Sequence, residues 1–472
     1  MAKATSRYVC QSCGEAFLRW EGQCRVCGGW NSLVEQIVRE TRRPVAASPR
    51  MGGPVAAVPL AEVGAEDVAR IPTGIAELDR VLGGGIVPGS LILLGGEPGI
   101  GKSTLLLQVA AGIGGPVLYA TGEESAEQVR LRARRLGLLD GPAGDAIRIL
   151  PEREVDAIVE AARQLRPALL VVDSVQTAVV DALDGAAGSV GQVREATVRL
   201  MEMAKGEGIA VVLVGHVTKD GSIAGPKTLE HLVDAVVTMD GERYAALRLV
   251  RATKNRFGST DEVGVFEMAG VGLIEVSDPS QAFLGDHPEG APGSVVAPTL
   301  EGSRPILVEV QALVAPAGYG TPARKASGLD PNRLGLLVAV LGRRAGVALG
   351  SHDVYANLAG GLAVGEPGLD LPIALALASS LRDRPVGGGV VAIGEVGLLG
   401  ELRAVSGLER RLKDAVRSGF RTAIVPRPSR GAGPLVVKDM DIIEVATLRE
   451  AIEAGLTPRS ERRGDALPAM LG

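Results

Sequence analysis

The stretch SLILLGGEPGIGKSTLLLQVAAGI, residues 90–113, decides the fold. An apolar run that predicts a β-strand leads into a glycine-rich loop, and a helix-like run follows the loop directly. The loop fits the pattern G-x-x-x-x-G-K-S, in which backbone N–H groups and the helix N-terminus face phosphate oxygens. The lysine of this pattern reaches the β- and γ-phosphates and the serine ligates Mg²⁺, so the stretch predicts a site for ATP and Mg²⁺. The predicted binding residues are Gly96, Glu97, Pro98, Gly99, Ile100, Gly101, Lys102, Ser103 and Thr104.

Apolar β-like runs alternate with helix-like segments on both sides of this loop, from about residue 70 to residue 275. The runs include PVLYATG, ALLVVDS and IAVVLVGH, and the helix-like segments include AEQVRLRARRLGL and VDAIVEAARQL. This alternation is typical of a mainly parallel sheet covered by helices. The sequence therefore predicts an α/β nucleotide-binding domain, to which we assign residues 61–284.

Polar residues at the ends of the predicted strands supply candidates for the chemistry of hydrolysis. Asp173 ends the run ALLVVD, where its carboxylate can hold Mg²⁺ directly or through water. The next residue is Ser174 rather than a glutamate, so the base that orients the attacking water must come from another strand. Glu123 and Glu124, in YATGEES, are the candidates, and the sequence does not separate them. A charged helix start would also explain this pair.

His216 ends another predicted strand, in VVLVGHVTKDG. At that position a histidine can sense the γ-phosphate and pass the signal to the segment TKDGSIAGPKTLEHL. A structural histidine is the competing interpretation.

The four cysteines of the chain are Cys10, Cys13, Cys24 and Cys27, all within the first 27 residues. Two C-x-x-C turns separated by ten residues can direct four thiolates at one ion, which suits tetrahedral Zn²⁺. Disulfides or idle thiols are the alternatives. We predict a four-cysteine zinc module over residues 1–38, followed by a linker over residues 39–60 that is rich in Arg, Pro, Ala and Gly.

Composition limits the class of protein without naming its partner. Hydrophobic residues make up 46% of the chain and charged residues 22%, as in an ordinary globular protein. A formal net charge of −5 argues against a grossly basic nucleic-acid binder but leaves room for a local cationic surface. Because the sequence shows neither an 18-residue apolar run nor a signal peptide, we expect a cytoplasmic protein with no membrane contact.

A second α/β pattern begins at ILVEVQALVAP and continues to AIVPRP. We assign residues 285–456 to this domain and residues 457–472 to a tail without a sustained apolar period.

The segments GEPGIGKST, YATGEES, LLVVDS and VGHVTKDG, the cysteine spacing and the stretch KNRFG at residues 254–258 together resemble the RadA (Sms) family of bacterial DNA-repair proteins. The ATPase core of that family is of the RecA/DnaB-helicase class. The resemblance implies that Lys254 and Arg256 reach the ATP of a neighbouring subunit, as a finger supplied in trans within a homo-oligomer, implied to be a hexameric ring. From its residues alone, without the family resemblance, KNRFG is interpreted as a charged turn. The resemblance further implies binding of single-stranded and branched DNA, and branch migration alongside the RecA recombinase.

Residues 285–456 resemble the C-terminal domain of Lon proteases, chiefly in GEVGLLGELRAVSGLERRLKDAVRSGF. Alignment with Lon places Asp370 where the nucleophilic serine stands and Glu409 where the lysine base stands. Because an acidic pair cannot perform Ser–Lys catalysis, the resemblance implies a scaffold rather than a protease. The candidates for contact with DNA phosphates are Lys219, Lys227, Arg324, Lys325 and Arg333. For the last three, which belong to the C-terminal domain, a solvated cationic face is an equally good interpretation.

Two other functions remain open at this point. A Lon-type ATP-dependent protease would degrade a protein such as casein. A non-motor switch resembling the clock-type KaiC ATPases would hydrolyse ATP slowly and without regard to DNA.

Overall fold

The computed structural model describes two compact units, one within residues 1–67 and one within residues 68–472. The described residues are 5–10, 16–17, 19–30, 33–38, 69–139, 141–216, 227–241, 247–284, 290–318, 320–361, 364–428, 433 and 435–456. In the first unit, three described strands form an antiparallel sheet in the order β2-β1-β3. They are β1 Thr5–Cys10, β2 Ala16–Phe17 and β3 Leu33–Val38.

The second unit begins with a large sheet, to which the described residues contribute nine strands in the order β12-β11-β10-β9-β4-β8-β7-β5-β6. The strands from β9 to β6 in this order run parallel, and β10, β11 and β12 extend the sheet in antiparallel fashion. The mainly parallel α/β sheet predicted from the sequence is confirmed. Its strands are β4 Leu91–Gly96, β5 Val117–Thr121, β6 Ile147–Leu150, β7 Leu169–Asp173, β8 Ala210–Val214, β9 Ala235–Asp240, β10 Leu247–Asn255, β11 Val263–Ala269 and β12 Gly272–Glu275.

Helices cover both faces of this sheet, which explains the continuous apolar runs of its central strands. Every residue of β4 is buried: Leu91 and Leu93 face one core cluster, whereas Ile92 and Leu94 face the other. A strand enclosed on both faces has no solvent side on which to place polar residues. The helices of this part are α1 Ala76–Leu82, α2 Lys102–Gly112, α3 Ala126–Arg135, α4 Pro142–Ala146, α5 Val155–Leu165, α6 Val190–Glu207 and α7 Lys227–Leu232.

A second, mixed sheet follows, and the described chain supplies seven strands to it in the order β15-β16-β14-β13-β17-β20-β21. These strands are β13 Ser294–Glu301, β14 Arg304–Pro316, β15 Arg324–Ser327, β16 His352–Leu358, β17 Val390–Ala392, β20 Thr422–Pro426 and β21 Asp441–Val445, with a separate hairpin of β18 Glu395–Val396 and β19 Leu402–Arg403. The helices are α8 Pro279–Leu284, α9 Pro331–Arg344, α10 Asp370–Arg382, α11 Leu408–Arg417 and α12 Leu448–Gly455, with 3₁₀ turns at Ala359–Gly361 and Pro367–Leu369.

The two sheets of the second unit are joined by a buried ion pair. Glu77 of α1 and Arg304 of β14 are 4% and 8% exposed, and the guanidinium of Arg304 donates to the carboxylate of Glu77. The same carboxylate accepts the backbone N–H of Val265 at 2.9 Å. A charge buried at this depth is tolerated when it is paired and hydrogen-bonded.

The predicted boundary near residue 284 falls at the end of α8. Ser280 of α8 accepts the N–H of Leu307 and donates to Asp414, so this helix packs on the second sheet. The domain limits at residues 61, 284 and 456 stay predictions, and the linker 39–60 and the tail 457–472 lie outside the described residues. No helix in the described part of the chain is long and apolar enough to cross a membrane.

Candidate nucleotide site and KNRFG turn

The glycine-rich loop connects β4 to α2, as the sequence predicts. Strand β4 ends at Gly96, and α2 begins at Lys102. Gly101 has a φ of 122°, a region that favours glycine, and no side chain caps the N-terminus of the helix at this residue. The first N–H groups of α2 therefore face the loop, which is the arrangement that binds phosphate.

Lys102 is 4% exposed, and its side chain folds back onto the phosphate loop. Its Nζ donates to the carbonyl oxygens of Gly96 at 2.8 Å and Glu97 at 2.9 Å. Burial lowers the pKa of the Lys102 ammonium, and the charges of Asp173 and Glu123 oppose that shift. The predicted phosphate-binding lysine is thus placed in the mouth of the loop, where its donors suit phosphate oxygens.

Asp173, the predicted metal-holding carboxylate, is 7% exposed at the end of β7. Its Oδ2 accepts a hydrogen bond of 2.6 Å from the hydroxyl of Tyr119 on the neighbouring strand β5. Burial, followed by the charge of Asp173, raises the pKa of Tyr119 well above its usual value, so this hydroxyl stays a donor. No local sequence pattern points to Tyr119, because its contact with Asp173 depends on the register between β5 and β7.

The structure places the two glutamates of YATGEES differently. Glu123 Oε1 accepts a hydrogen bond from the Ser174 hydroxyl and lies 3.2 Å from His216 Nε2. Burial favours the neutral acid, but the hydrogen bonds from Ser174 and His216 outweigh it and lower the pKa of Glu123. Glu124 instead forms an ion pair with Arg132 of α3.

His216 joins the two halves of this site. Its Nδ1 lies 3.3 Å from Lys102 Nζ, while its Nε2 faces Glu123. The Lys102 loop, Asp173, Glu123 and His216 all follow the carboxyl ends of parallel strands, and such strand ends share one edge of a sheet. This arrangement can hold a triphosphate with Mg²⁺ and can polarise a water molecule beside it.

The KNRFG turn lies at the opposite edge of the same sheet. At the loop edge Gly96 pairs with Met239, whereas at the other edge Ile92 pairs with Ala235, and Ala235 also pairs with Asn255. Four residue steps of β4 separate these edges, a span of about 13 Å. Lys254 and Arg256 are therefore remote from the phosphate loop of their own chain.

Within the chain, Lys254 and Arg256 make local contacts. Lys254 Nζ donates to the carbonyl oxygens of Glu230 at 2.6 Å and Val233 at 2.8 Å, at the end of α7. Burial and the charge of Arg256 lower the pKa of Lys254. Arg256 donates from Nη1 to Asp234 Oδ1 at 3.3 Å, with half of its side chain exposed.

Comparisons with known proteins agree with this geometry. Residues 71–280 match a family model described as the KaiC ATPase. DNA repair protein RadA of Bacillus subtilis (strain 168) is 46% identical over 461 residues, covering 97% of this chain and 100% of the relative. RadA of Pseudomonas aeruginosa is 47% identical, covering 96% and 99%. This chain belongs to the RadA family of DNA repair proteins.

Other matches cover parts of the chain. Residues 8–35 match a rubredoxin metal-binding domain, and residues 339–429 match subunit ChlI of Mg-chelatase. A KaiC-like protein from Pyrococcus horikoshii OT3 is 22% identical with a TM-score of 0.37, covering 44% of this chain and 99% of its own. The RadB recombinase is 24% identical with the same TM-score, covering 44% and 100%. The family matches and the mainly parallel sheet confirm the predicted fold class, with a metal-binding N-terminal module, a RecA-like ATPase core and a Lon-like C-terminal region.

Two of the four cysteines of this chain have described side chains. Cys24 is buried and Cys27 exposed, and a hydrogen bond of 2.8 Å from the N–H of Gly28 to the Cys24 carbonyl closes their turn. Gly28 has a φ of 72°, so this turn favours glycine. Cys10 ends β1 but its side chain, like the whole of Cys13, lies outside the described residues. One C-x-x-C turn thus has the form that a zinc ribbon uses, and the four-thiolate site stays a prediction.

Replacing Cys10 with serine tests that site. We expect the variant to lose its zinc while the ATPase core keeps its melting temperature, because residues 68–472 form a compact unit of their own. Atomic absorption measures the metal, and a thermal melt reports on the core. Cys24→Ser should behave in the same way. Zinc content equal to that of the wild type in either variant would contradict the four-cysteine assignment.

The DNA-contact candidates predicted from the sequence have different surroundings. Lys219 and the side chain of Lys227 lie outside the described residues. Arg324 donates to the carbonyl oxygens of Ala323, Leu349 and His352. Arg333 donates from Nε to Asp370 Oδ1 at 2.7 Å, whereas Lys325 is exposed. DNA would have to compete with these protein contacts for Arg324 and Arg333, which makes Lys325 the more accessible candidate.

The two acidic residues aligned with the Lon dyad have separate environments. Asp370 is 1% exposed, and burial raises its pKa although Arg333 and the N–H of Val396 favour the carboxylate. Glu409 is exposed on α11 and pairs with Lys413 at 2.7 Å. Asp370 therefore serves as a buried anchor for Arg333, and Glu409 belongs to the helix surface.

Proposed function

We propose that this RadA-family chain is a DNA-dependent ATPase that binds single-stranded DNA and drives branch migration of recombination intermediates, in recombinational repair with RecA. Its working form is a homo-oligomeric ring, for which we propose six subunits, in the cytoplasm. The protein hydrolyses ATP with Mg²⁺ in this proposal. A zinc ion stabilises its N-terminal module. Family membership supports the DNA-repair part of this proposal.

One observation carries the proposal of a ring. Lys254 and Arg256 belong to the stretch that marks the family, yet they occupy the sheet edge opposite their own phosphate loop. A cation that stabilises the transferring phosphoryl group must touch it. Cations at that edge can do so only for the nucleotide of another subunit. Hydrolysis would then require assembly and could drive relative motion of subunits.

The DNA-facing part of the motor is proposed on the segment after His216. His216 contacts both Lys102 and Glu123, so loss of the γ-phosphate would change its surroundings. The chain that follows contains Lys219 and Lys227, whose side chains would contact DNA phosphates. Arg324, Lys325 and Arg333 of the C-terminal domain are further candidates. Binding should weaken as salt rises, because neutralised phosphates release counterions.

ATP hydrolysis with and without single-stranded DNA tests the proposal. We expect DNA to stimulate turnover, and purified protein with ATP should move the branch point of a synthetic three-strand junction. Turnover indifferent to DNA would contradict the motor and favour a KaiC-like switch.

Glu123 is the residue we propose as the base that orients water, because it faces Lys102 and Ser174, whereas Glu124 pairs with Arg132. Glu123→Gln should lower kcat by about 10²–10⁴-fold with ATP binding retained. Glu124→Gln is the matched control, and it should keep most of its turnover. The reverse order of the two variants would assign the base to Glu124.

A further inference from the structure

Asp234, which the sequence analysis did not single out, connects the strand that carries the phosphate loop to the KNRFG turn. It is 3% exposed and directly precedes β9. Its Oδ2 accepts the N–H of Leu91, the first residue of β4, at 3.0 Å, and its own N–H donates to the Leu91 carbonyl at 2.8 Å. Its carbonyl oxygen accepts the N–H of Arg256 at 3.1 Å.

The Asp234 carboxylate is shared by two cations. Lys205 Nζ, from the last turn of α6, lies 2.5 Å from Oδ2, and Arg256 Nη1 lies 3.3 Å from Oδ1. The side chains of Lys205 and Arg256 are 48% and 56% exposed, whereas that of Asp234 is 4% exposed. One buried negative charge thus holds two positive groups that face solvent, which leaves a net charge of +1.

Three further contacts fix Phe257 within the KNRFG turn. Lys205 Nζ lies 6.0 Å from the centroid of the Phe257 ring, within the range of a cation–π contact. Arg70 donates to the Phe257 carbonyl at 2.6 Å, and the Phe257 N–H donates to Asn255 Oδ1 at 2.9 Å. Arg70 and Asn255 therefore hold the backbone of the turn at Phe257, whereas Asp234 holds the side chains of Arg256 and Lys205.

We propose that Asp234 is a positioning residue for the KNRFG turn and that Lys205 is a further cation of the surface that the turn presents to a neighbouring subunit's triphosphate. The inference rests on the proposed trans role of KNRFG. A buried carboxylate that holds two exposed cations at one spacing reduces the side-chain entropy lost when they bind an anion. Phosphate oxygens then meet an ordered cationic pair beside Lys254.

Lys205 is the residue to vary, because loss of the buried Asp234 carboxylate would also remove a hydrogen bond to β4 and could unfold the domain. Lys205→Gln should lower DNA-stimulated kcat about tenfold or more with the KM for ATP unchanged, since a cation that acts on the transferring phosphoryl group stabilises the transition state rather than the bound ATP. Lys205→Arg should restore turnover. Lys413→Gln, on an exposed helix of the C-terminal domain, is the matched control and should leave turnover unchanged.

A subunit-mixing experiment separates a role across the interface from a role in folding. Lys102→Ala subunits keep an intact turn, and Lys205→Gln subunits keep an intact phosphate loop. In a random equimolar mixture about a quarter of the interfaces join the two intact parts, so turnover should rise several-fold above the mean of the separate variants. Light scattering checks that the mixture assembles.

A second mixture, of Lys102→Ala with Lys254→Ala subunits, distinguishes an error in the assignment of Lys205 from an error in the proposed trans role of KNRFG. If this mixture regains turnover and the Lys205→Gln mixture does not, the assignment of Lys205 is overturned while the trans role of KNRFG stands. If neither mixture regains turnover, the trans role fails and the inference falls with it. Recovery in both supports the inference.

Discussion

Replacing Lys102 with alanine is expected to abolish ATP hydrolysis, with a loss on the order of 10²–10³-fold or more in kcat. Lys102 Nζ is the cation in the mouth of the phosphate loop, where it donates to the carbonyl oxygens of Gly96 and Glu97. Bound ATP offers phosphate oxygens to the same donors. Without the ammonium, charge that develops on the β- and γ-phosphates in the transition state has no partner in the loop.

The measurement is phosphate release by the purified variant at saturating ATP and DNA. A thermal melt serves as the folding control, since the side chain is buried and its loss leaves space beside α2. Lys413→Ala, which removes an exposed lysine, should keep normal turnover. Near-normal hydrolysis by a folded Lys102→Ala protein would refute the nucleotide site.

Replacing Lys254 with alanine should leave ATP binding intact and remove DNA-stimulated hydrolysis, by roughly 10³-fold if the residue acts as a finger supplied in trans. The reason is geometric: Lys254 pairs with Val236 at the edge of the sheet where β9 begins, away from its own loop. Binding measured with a fluorescent ATP analogue and turnover measured by phosphate release should therefore respond differently to this variant.

Lys254 also caps the end of α7, so a control must separate this contact from the catalytic one. Lys254→Gln keeps an N–H donor for the carbonyl oxygens of Glu230 and Val233 but carries no charge. If charge at the neighbour's phosphate is what matters, Gln should be as inactive as Ala. Turnover restored by Gln, or ATP binding lost in a folded Ala variant, would assign Lys254 to the support of α7 instead.

The Lys102→Ala and Lys254→Ala variants together test whether each nucleotide site is shared by two subunits. Lys102 and Lys254 lie on the same sheet, but each belongs to a different nucleotide site in the proposed ring. A defect in one should be rescued by a neighbour that carries the other, whereas a defect in folding should not.

The sequence alone determined the features that depend on residues close together along the chain. The phosphate loop is one, because its strand, glycines, lysine and helix are contiguous between residues 90 and 113. The parallel sheet is another, because strands enclosed on both faces must be apolar throughout. The resemblance to the RadA family also follows from local stretches, above all KNRFG.

Only the tertiary structure decided which residues meet across the fold. It directs Glu123 toward Lys102 and pairs Glu124 with Arg132, although the two glutamates are adjacent in sequence. It joins Asp234, which precedes β9, to Lys205 of α6 and to Arg256, which follows β10. The contacts of Asp234 with Lys205 and Arg256 depend on strand register and helix packing, which no short stretch encodes, because these residues lie more than 20 positions apart in the sequence. The opposite placement of the phosphate loop and the KNRFG turn has the same origin, since it follows from the antiparallel return of β10 along β9.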